Sequence, residues 1–500
     1  MYRILIFILC FLVVAISEAS GTWNLEALAA TEGCVHLQGA YMAMPEENRM
    51  PGDESHSGGE GGSEGKGDPY GEMPQRGQMA VGAIDSLTWQ LYLEKDWTAL
   101  LRSARKAFRE GIDFYYLRVR AGVAAYELSR LGAAVHHLEK AREELPDDDF
   151  TNGTLYSVLV QAGRDDEANL LASRLLPEAR GRLAIPLQGL VNSVGTGIYL
   201  SRNTSHAALR EDPIAEEGSL TSYRSVLNRQ WYKNVAFDLH LSPRFNLYTH
   251  VSHIAIDRTQ HFSSTSNQVE ALRETTTSQF QGYSQGRLLM GKGWSAFASA
   301  SLLRGEGLYD TLSVTTPGLY TLTKESFPFT DWLINAGVAR QMEWMAPRLS
   351  VTRGNINGWE QWQYNGQLVL YPLGNPDFYL VSEGYLHLDE RSEHPKTIFT
   401  QKIALKTGPA WLIGEATRGT IANFSTGEGL VVYNMPERIT SMTGATLWVP
   451  LFGYRLNAAL RFLVTPKKGT TFVYTNATDY TVKHYRFNDH SLFISLQWNL

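Results

Sequence analysis

Cysteine is nearly missing from this chain, since 500 residues contain only Cys10 and Cys34. If the N-terminal segment that carries Cys10 is removed, one thiol remains, which excludes an intramolecular disulfide and a cysteine-based metal site. Long apolar runs are also missing after the N-terminus, where no stretch reaches the roughly 20 residues of a membrane-spanning helix. Lys and Arg number 45 against 51 Asp and Glu. Without a basic excess for phosphate contacts, we expect no nucleic-acid partner.

The common sequence motifs of enzymes do not identify a catalytic site in this chain. The sequence has no H-E-x-x-H zinc motif and no phosphate-binding loop. We therefore predict no catalytic residue, no cofactor and no metal site, and we expect a protein that is not an enzyme. An enzyme with a Ser and His pair at the rim of a barrel stays open as a rival, because the thirteen histidines and many serines do not single out one pair.

The N-terminus has the pattern of a secretory signal peptide. Arg3 precedes an apolar run over residues 4–16, and the small residues Ser17 and Ala19 flank Glu18. A basic start, a short apolar core and a small-x-small exit predict a signal peptide over 1–19. An uncleaved anchor helix is the alternative, although the run is short for a full span. Within the next segment, 20–79, the Gly-, Ser- and Glu-rich stretch 45–78 predicts a flexible acidic linker.

A helical period begins near residue 80 and ends near 183. An offset of 34 residues aligns Leu100 with Ala134 and Ala168. In the unit 115–148, Gly122 and Pro146 lie at the eighth and thirty-second places. This pattern resembles the tetratricopeptide repeat (TPR), in which small residues let two antiparallel helices pack closely. The units 81–114 and 149–182 match less well, and a generic helical bundle is the alternative.

Beyond residue 187 the period becomes two. In VAFDLHLS, Val235 and Phe237 alternate with Asp238 and His240, and many such segments follow to residue 500. A soluble sandwich or propeller would bury the apolar side, whereas a membrane barrel turns it toward lipid. Three features favour the barrel. Aromatic residues cluster at the strand ends, one side of the long strands carries polar residues, and no blade repeat recurs in the sequence. We predict a closed antiparallel transmembrane β-barrel over 187–500, with about 14 strands at ~22 residues per strand, while 12 or 16 also fit.

The polar side of these strands is expected to face a wet lumen. The candidate lumen-facing residues are Asp238, His240, Gln361, Gln363, Asn365, Gln367, Arg455, Asn457 and Arg461. We also interpret three polar tracts, 201–219, 257–278 and 308–327, as surface loops, the third of which has room for a short strand. A barrel of this size holds an aqueous channel unless a loop or the N-terminal segment plugs it.

The last strand alternates to the end of the chain. Leu492, Ile494, Leu496, Trp498 and Leu500 lie on one side of it. A closed barrel has no free edge, so this strand must pair with the first. The alternation resembles the C-terminal assembly signal of bacterial outer-membrane barrels, which usually ends in Phe or Trp rather than Leu. That resemblance implies recognition by the barrel assembly machinery.

The combination of parts resembles a group of bacterial outer-membrane proteins that carry periplasmic TPR repeats ahead of a barrel, among them polysaccharide exporters and surface lipoprotein assembly modulators. The resemblance implies a location in the outer membrane of a Gram-negative bacterium, with the repeats in the periplasm. It implies that the repeats bind a client or partner and that the barrel translocates it to the surface. A porin for small solutes and a structural or receptor-like envelope barrel are the alternatives.

Overall fold

The computed structural model describes residues 76–390, 392, 394–476 and 479–500. The predicted signal peptide 1–19, Cys34 and nearly all of the segment 20–79 lie outside the described residues. Two parts follow each other along the described chain: a helical domain and a large β-sheet. Within the described part, no helix combines the length and the apolar character needed to cross a bilayer.

The helical domain holds seven helices before the first strand. They are α1 (Arg76–Leu93), α2 (Trp97–Arg109), α3 (Tyr115–Glu127), α4 (Leu131–Glu144), α5 (Asp149–Gln161), α6 (Asp165–Arg174) and α7 (Pro177–Arg182). Two of them begin at a capping carboxylate: Asp96 accepts from the Ala99 amide and Asp148 from the Thr151 amide. The starts of α2, α4 and α6, at residues 97, 131 and 165, follow each other at the 34-residue interval of the sequence comparison.

Small residues let these helices pack closely. A Cβ placed on Gly122 would lie 2.7 Å from Cγ of Leu138, so any larger residue at this point in α3 would push α4 away. Ala104, Ala121 and Ala124 are fully buried in the same core. A fixed interval and small buried side chains agree with the prediction of paired helices, because helix axes can approach only where side chains are short.

The sheet closes into a barrel of fourteen antiparallel strands. They are β1 (Val191–Asn203), β2 (Thr221–Ser242), β3 (Phe245–Ser264), β4 (Val269–Gly291), β5 (Trp294–Thr316), β6 (Leu319–Arg340), β7 (Met345–Ile356), β8 (Trp359–Leu370), β9 (Phe378–Asp389), β10 (Lys396–Thr407), β11 (Ala410–Ile421), β14 (Arg438–Leu451), β15 (Leu456–Tyr474) and β16 (Tyr480–Asn499). Two further short strands, β12 (Phe424–Thr426) and β13 (Val431–Tyr433), form a hairpin of their own. The predicted closed barrel of about 14 strands is confirmed.

The final strand completes the wall as expected. β16 pairs with β1 from Ser193 opposite Asn499 to Asn203 opposite Asp489, and on its other edge it pairs with β15. Both edges of the terminal strand are therefore hydrogen-bonded. This closure explains why the alternation continues to the end of the chain, since successive side chains of β16 point alternately into the lumen and outward.

Two of the three tracts interpreted as loops are strands. Residues 257–278 form the ends of β3 and β4, which a four-residue connection at 265–268 joins. Residues 308–327 form the ends of β5 and β6, joined at 317–318. The loop interpretation of these tracts was wrong because both faces of the strand ends carry polar residues, so no apolar alternation marks them. The remaining tract, 201–219, contains the end of β1 and a short helix, α8 (His206–Glu211).

The apolar side of the strands faces outward. On β4, Phe280 is 60% exposed, whereas its neighbours Gln279 and Gln281 are 2% and 4% exposed. The same inversion holds for other outward residues, which include Val251, Leu302, Ile334, Leu349, Phe399, Ile403 and Leu460. An exposed apolar belt around a polar interior is the arrangement of a membrane barrel and the opposite of a soluble β-sandwich.

Candidate functional site: a lumen between an inserted hairpin and the helical domain

The two ends of the barrel differ. At one end, here the lower end, β1 begins, β16 finishes and the turns 243–244, 292–293, 341–344 and 408–409 lie. The helical domain contacts this lower end, where the amide of Gly132 donates to the carbonyl of Gly374. The opposite, upper end carries the connections 204–220 and 422–437. At this end Thr471–Tyr474 of β15 pair with Thr221–Arg224 of β2, which bridges the gap above the short strand β1.

Most of the predicted lumen-facing residues lie on the inner side of the wall. Gln361, Gln363, Asn457 and Arg461 are each at most 5% exposed. Asp238 accepts from Nδ2 of Asn192 at 2.6 Å, and Asn365 donates to Glu383 at 3.1 Å. Gln367 lines the lower part of the lumen. His240 lies near the lower rim of β2, and Arg455 is exposed in the turn before β15. That these side chains line a transport path stays a prediction.

The connection between β11 and β14 enters the lumen. This segment, residues 422–437, is here called the lumen loop, and it contains the hairpin of β12 and β13 with a 3-10 turn between them. Phe424, at its start, is fully buried against Tyr385 and Ile398 of β9 and β10. Its turn lies against the opposite wall, where Ser299 of β5 donates to the carbonyl of Glu428 at 2.6 Å. The hairpin therefore spans the lumen from one side to the other.

Polar contacts from several strands hold the lumen loop in place. Gln281 of β4 donates to the carbonyl of Leu430 at 2.8 Å, and Arg348 of β7 forms an ion pair with Glu428. Asn434 donates to Gln279 and to Asp331 at 2.8 and 3.0 Å. At the end of the loop, Arg258 of β3 pairs with Glu437, and both side chains are buried. These bonds satisfy polar groups on the wall that would otherwise need water.

At the lower end, the helical domain inserts a turn into the barrel. Asp166, in the first turn of α6, accepts a hydrogen bond from Nδ2 of Asn246 at 2.5 Å and lies 2.9 Å from Nη2 of Arg287. Asn246 and Arg287 belong to the inner side of β3 and β4. A second ion pair joins Glu143 of α4 to Lys292 in the β4–β5 turn at 3.1 Å. The domain is thus docked through charged and polar groups.

Close backbone contact supports this docking. A Cβ on Gly132, in α4, would lie 1.8 Å from the carbonyl oxygen of Glu343, so only glycine fits between the helix and the β6–β7 turn. Next to it, Asn375 donates from its side chain to the carbonyl of Ser129 at 3.1 Å. The position of α4 against the rim therefore depends on the absence of a side chain at residue 132.

Burial changes the electrostatics of the inserted turn. Asp165 is almost fully buried beside Asp166, and burial together with that neighbouring carboxylate raises the pKa of Asp165 well above its usual value. The first turn of α6 carries Asp165, Asp166 and Glu167, which the helix dipole favours. In this turn Asp166 forms an ion pair with Arg287 of the barrel, whereas the charged form of Asp165 is disfavoured.

Three neighbouring cavities follow each other from the helical domain into the lumen. The groove, of about 760 Å³, lies between α4, α6 and the turns of the rim. The mouth, of about 200 Å³, lies between the barrel wall and residues 162–167, which join α5 to the first turn of α6 and are here called the α5–α6 turn. The chamber, of about 80 Å³, lies inside the barrel. Groove and mouth share Arg164, Glu167 and Arg340, while mouth and chamber share Arg287 and Arg348.

The wall of the chamber combines polar side chains with a larger share of apolar surface. Asp238, Gln285, Asn457 and Gln497 line it together with the aromatic side chain of Trp448. The amide oxygen of Asn457 is buried and has no hydrogen-bond partner among the residues that the structure describes. Across 76–390, 392, 394–476 and 479–500, no group of three or more His, Cys, Asp and Glu residues is placed to hold a metal ion. The lining therefore offers a solute both hydrogen-bonding groups and apolar contacts.

We predicted no nucleophile elbow of the G-x-S-x-G type, yet the letters of this pattern do occur in the barrel. Residues 282–286, GYSQG, match the G-x-S-x-G letters of a nucleophile elbow. An elbow requires a sharp turn between a strand and a helix. Ser284 instead lies in the middle of β4 and is exposed on the outer side. The match therefore does not define a nucleophile.

A buried histidine makes the helical domain sensitive to acid. His137 is 9% exposed, stacks on Phe108 and lies 3.0 Å from Nη1 of Arg118. Burial, followed by the charge of Arg118, lowers the pKa of His137 to about 3. Since the folded pKa lies below the unfolded value of 6.5, His137 favours folding above pH 6.5, and this contribution is lost as the pH falls toward 3.

We therefore expect the free energy of unfolding of the helical domain to be about 3 kcal/mol lower at pH 4 than at pH 8 through His137 alone. The measurement is thermal unfolding followed by the helical signal in circular dichroism at pH 8 and pH 4. His137→Gln should lower the thermal stability of the helical domain at both pH values. It should also reduce the difference in thermal stability between pH 8 and pH 4. His136→Gln is the matched control, because His136 is less buried. An unchanged pH difference in His137→Gln would contradict the assignment.

The comparisons with known proteins add little beyond architecture. No protein-family model matches the sequence, and no curated protein matches it. Among solved structures, a deltaS2S3 mutant of the monoaromatic hydrocarbon channel TodX is 8% identical, with a TM-score of 0.42 over 63% of this chain and 91% of that chain. A FadL homologue of Pseudomonas aeruginosa is 7% identical, with a TM-score of 0.40 over 66% and 94%. Omp33 of Acinetobacter baumannii is 8% identical, with a TM-score of 0.30 over 63% and 100%. At these values the similarities carry no argument about function.

Proposed function

We propose that this protein is a transport protein of the outer membrane of a Gram-negative bacterium. In this proposal the helical domain lies in the periplasm and holds a client, and the barrel passes that client to the cell surface. One observation carries the proposal: the groove, the mouth and the chamber lie in line, with Arg164 shared by the groove and the mouth and Arg287 shared by the mouth and the chamber. A domain with an unrelated task would not need its groove beside the entrance to the lumen.

The membrane location rests on the outer surface of the barrel. Residues such as Phe280, Ile403 and Leu460 expose their side chains outward, which is costly in water and favourable in lipid. Trp498 of β16 and Leu500, which follows the strand, are exposed, and the assembly machinery of the outer membrane is the partner we propose for this strand. The short turns of the lower end would then face the periplasm together with the helices.

The assignment of the helices to the TPR class rests on two features. The interval of 34 residues separates α2, α4 and α6, and Gly122 allows close packing against Leu138. Both are properties of this repeat, whose stacked pairs present a concave surface. The groove, lined by α4 and α6, is the surface we propose for the client, which is either a surface polysaccharide or a surface protein.

A receptor-like or structural barrel is the second candidate. It is favoured by the lumen loop, which crosses the interior, and by the contact of Asp166 with Arg287, which fills the mouth. A transport protein must open both obstacles during its cycle, whereas a receptor would keep them closed. The same two features disfavour a permanently open porin for small solutes.

The proposal is tested by deleting residues 80–183 from the chain in its native host. We expect the barrel to remain folded, since its strands and the lumen loop make their hydrogen bonds without the helices, and we expect one surface component to disappear. Heat-modifiable migration on a gel checks the barrel, and a comparison of surface polysaccharide and surface proteins checks the export.

The control for this deletion is Asp149→Asn, which breaks the exposed ion pair of Asp149 with Arg182 without touching the barrel. It should leave the cell surface as it is in the wild type. If the barrel without residues 80–183 is folded and correctly located and the cell surface is unchanged, export is refuted. That result would favour the receptor-like alternative.

A further inference from the structure

The α5–α6 turn lies where a gate would have to lie. Asp165 and Asp166 line the mouth, and Asp166 is bonded to Asn246 and Arg287 on the inner wall of the barrel. Directly above, the chamber begins, because Arg287 lines both cavities. The helical domain therefore does more than rest on the rim. One of its turns occupies the entrance through which a client would leave the groove.

The docked position is held by contacts that can be exchanged for water. The described contacts between helices and barrel are ion pairs and hydrogen bonds, such as Glu143 with Lys292 and Gly132 with Gly374. None of the apolar clusters of the described residues contains members from both parts. Undocking therefore breaks no shared apolar core, and interfaces of this kind permit domain motion. The connection 183–190, between α7 and β1, is the link about which the domain would move.

The same helix also lines the groove. Arg164, Glu167 and Leu170 line the groove and the mouth, and α6 is only ten residues long. Arg164 is held by Glu167 through two hydrogen bonds of 2.7 Å and lies 4.0 Å from Glu139. A ligand that competes for Arg164 would shift α6 as a unit, because a three-turn helix moves as a rigid body. Such a shift would carry Asp166 away from Arg287.

The charge of the groove indicates what such a ligand carries. Arg142, Arg174 and Arg340 line it without an ion pair to a carboxylate of the described residues, although Arg142 donates to Oδ1 of Asn152 at 2.9 Å. The carboxylates of the lining are Glu139, Glu143, Glu167 and Glu343, and the first three lie within 4.0 Å of a Lys or Arg side chain. Leu155, Leu159 and Leu171 add apolar surface to the groove. Unpaired guanidinium groups beside apolar side chains suit an extended polypeptide with acidic side chains.

We propose that the α5–α6 turn is an autoinhibitory plug of the mouth, latched by Asp166 on Arg287, and that an acidic segment of a client releases it by binding in the groove. This inference rests on the proposed function and adds to it the chemistry of the client and the order of events. The client first binds in the groove, α6 then moves, and the mouth opens toward the chamber.

The latch is tested by measuring access to the chamber in the full chain. Ser495, which lines the chamber, is replaced by Cys in a background of Cys10→Ser and Cys34→Ser. The rate at which a small charged thiol reagent modifies this single cysteine reports whether the mouth is open. We expect slow modification in the parent chain and at least about tenfold faster modification with Asp166→Arg, which places two cations together.

A charge exchange separates the latch from general disruption. The double variant Asp166→Arg with Arg287→Asp restores an ion pair of the opposite sense, and we expect it to return to slow modification. Asp149→Asn is the matched control and should behave like the parent chain. Equal rates in the parent chain and Asp166→Arg, or a double variant as fast as Asp166→Arg, would overturn the latch. Heat-modifiable migration and helical circular dichroism verify that each variant is folded.

Release by a client is tested with a ten-residue polyglutamate peptide as the probe. It should accelerate modification in the parent chain and have a much smaller effect in Arg174→Gln, which removes an unpaired cation of the groove. No acceleration by the peptide would overturn the acidic client, while the surface phenotype of the 80–183 deletion would still decide the proposed function by itself.

Discussion

Replacing residues 424–433 by a short Gly-Ser linker should convert the barrel into a conducting pore. We expect the conductance of purified protein in planar bilayers to rise by about tenfold or more when the chain also carries Asp166→Arg, which opens the mouth. The reason is the position of the lumen loop, which reaches from Tyr385 on β9 to Ser299 on β5. Without this hairpin, the polar inner wall is lined by water alone.

The ion selectivity of the opened pore depends on the charged residues that are removed together with the hairpin. Glu428 is removed, so Arg348 loses its carboxylate, whereas Glu437 stays in place opposite Arg258. The loss of one carboxylate makes the lumen more positive by one charge, which should favour anions. Measuring the reversal potential in a salt gradient checks this sign.

The matched control is a Gly-Ser replacement of residues 265–268, a connection of the upper rim that joins β3 to β4. It should leave the conductance near that of the chain with Asp166→Arg alone. If shortening the lumen loop leaves the conductance equally low in the folded protein, the hairpin is not the obstacle, and the upper rim around β15 and β2 becomes the alternative.

Arg461→Met should destabilise the barrel by about 3 kcal/mol or more. Arg461 of β15 forms two hydrogen bonds with Glu415 of β11, at 2.5 and 2.6 Å, and the two side chains are 6% and 7% exposed. Removing the guanidinium leaves the carboxylate of Glu415 buried among groups that cannot fully replace it. Unfolding by urea in lipid vesicles, followed by tryptophan fluorescence, measures the loss.

Two comparisons show whether the loss comes from the unpaired charge. The double variant Arg461→Met with Glu415→Leu should recover much of the stability, because it removes both charges. Arg353→Met breaks an exposed pair with Glu360, in which both side chains are 50% exposed, and should cost less than about 1 kcal/mol. If Arg461→Met costs no more than Arg353→Met, water in the lumen already solvates Glu415.

Where the sequence analysis was right, the signal was local. The alternation in β2 and β15 predicted strands with one apolar side, and the 34-residue interval predicted recurring helices, because both periods follow directly from backbone geometry. Where it was wrong, the local signal was missing. The ends of β3 to β6 carry polar residues on both sides, so they had the composition of loops while forming strands.

The lumen loop was missed for a related reason. Its sequence, NFSTGEGLVVYNM over 423–435, contains two short apolar stretches around a Gly-rich turn, which is the pattern of a hairpin. That pattern indicates a turn between two strands but not whether the hairpin extends outward or folds inward. Only its contacts decide this, and Gln281 lies 149 residues before Leu430 along the chain.

The sequence alone determined that this protein has a helical part followed by an antiparallel barrel whose last strand is part of the wall. Both the alternation of strands and the helical period are patterns among residues that are close together in the chain. Tertiary structure alone decided that Glu428 meets Arg348 within the lumen and that Asp166 meets Arg287 at its entrance. These charges lie far apart in the chain, and no local preference brings them together. Their meeting depends on the closure of the barrel and on the packing of Gly132 against its rim, which are properties of the whole fold.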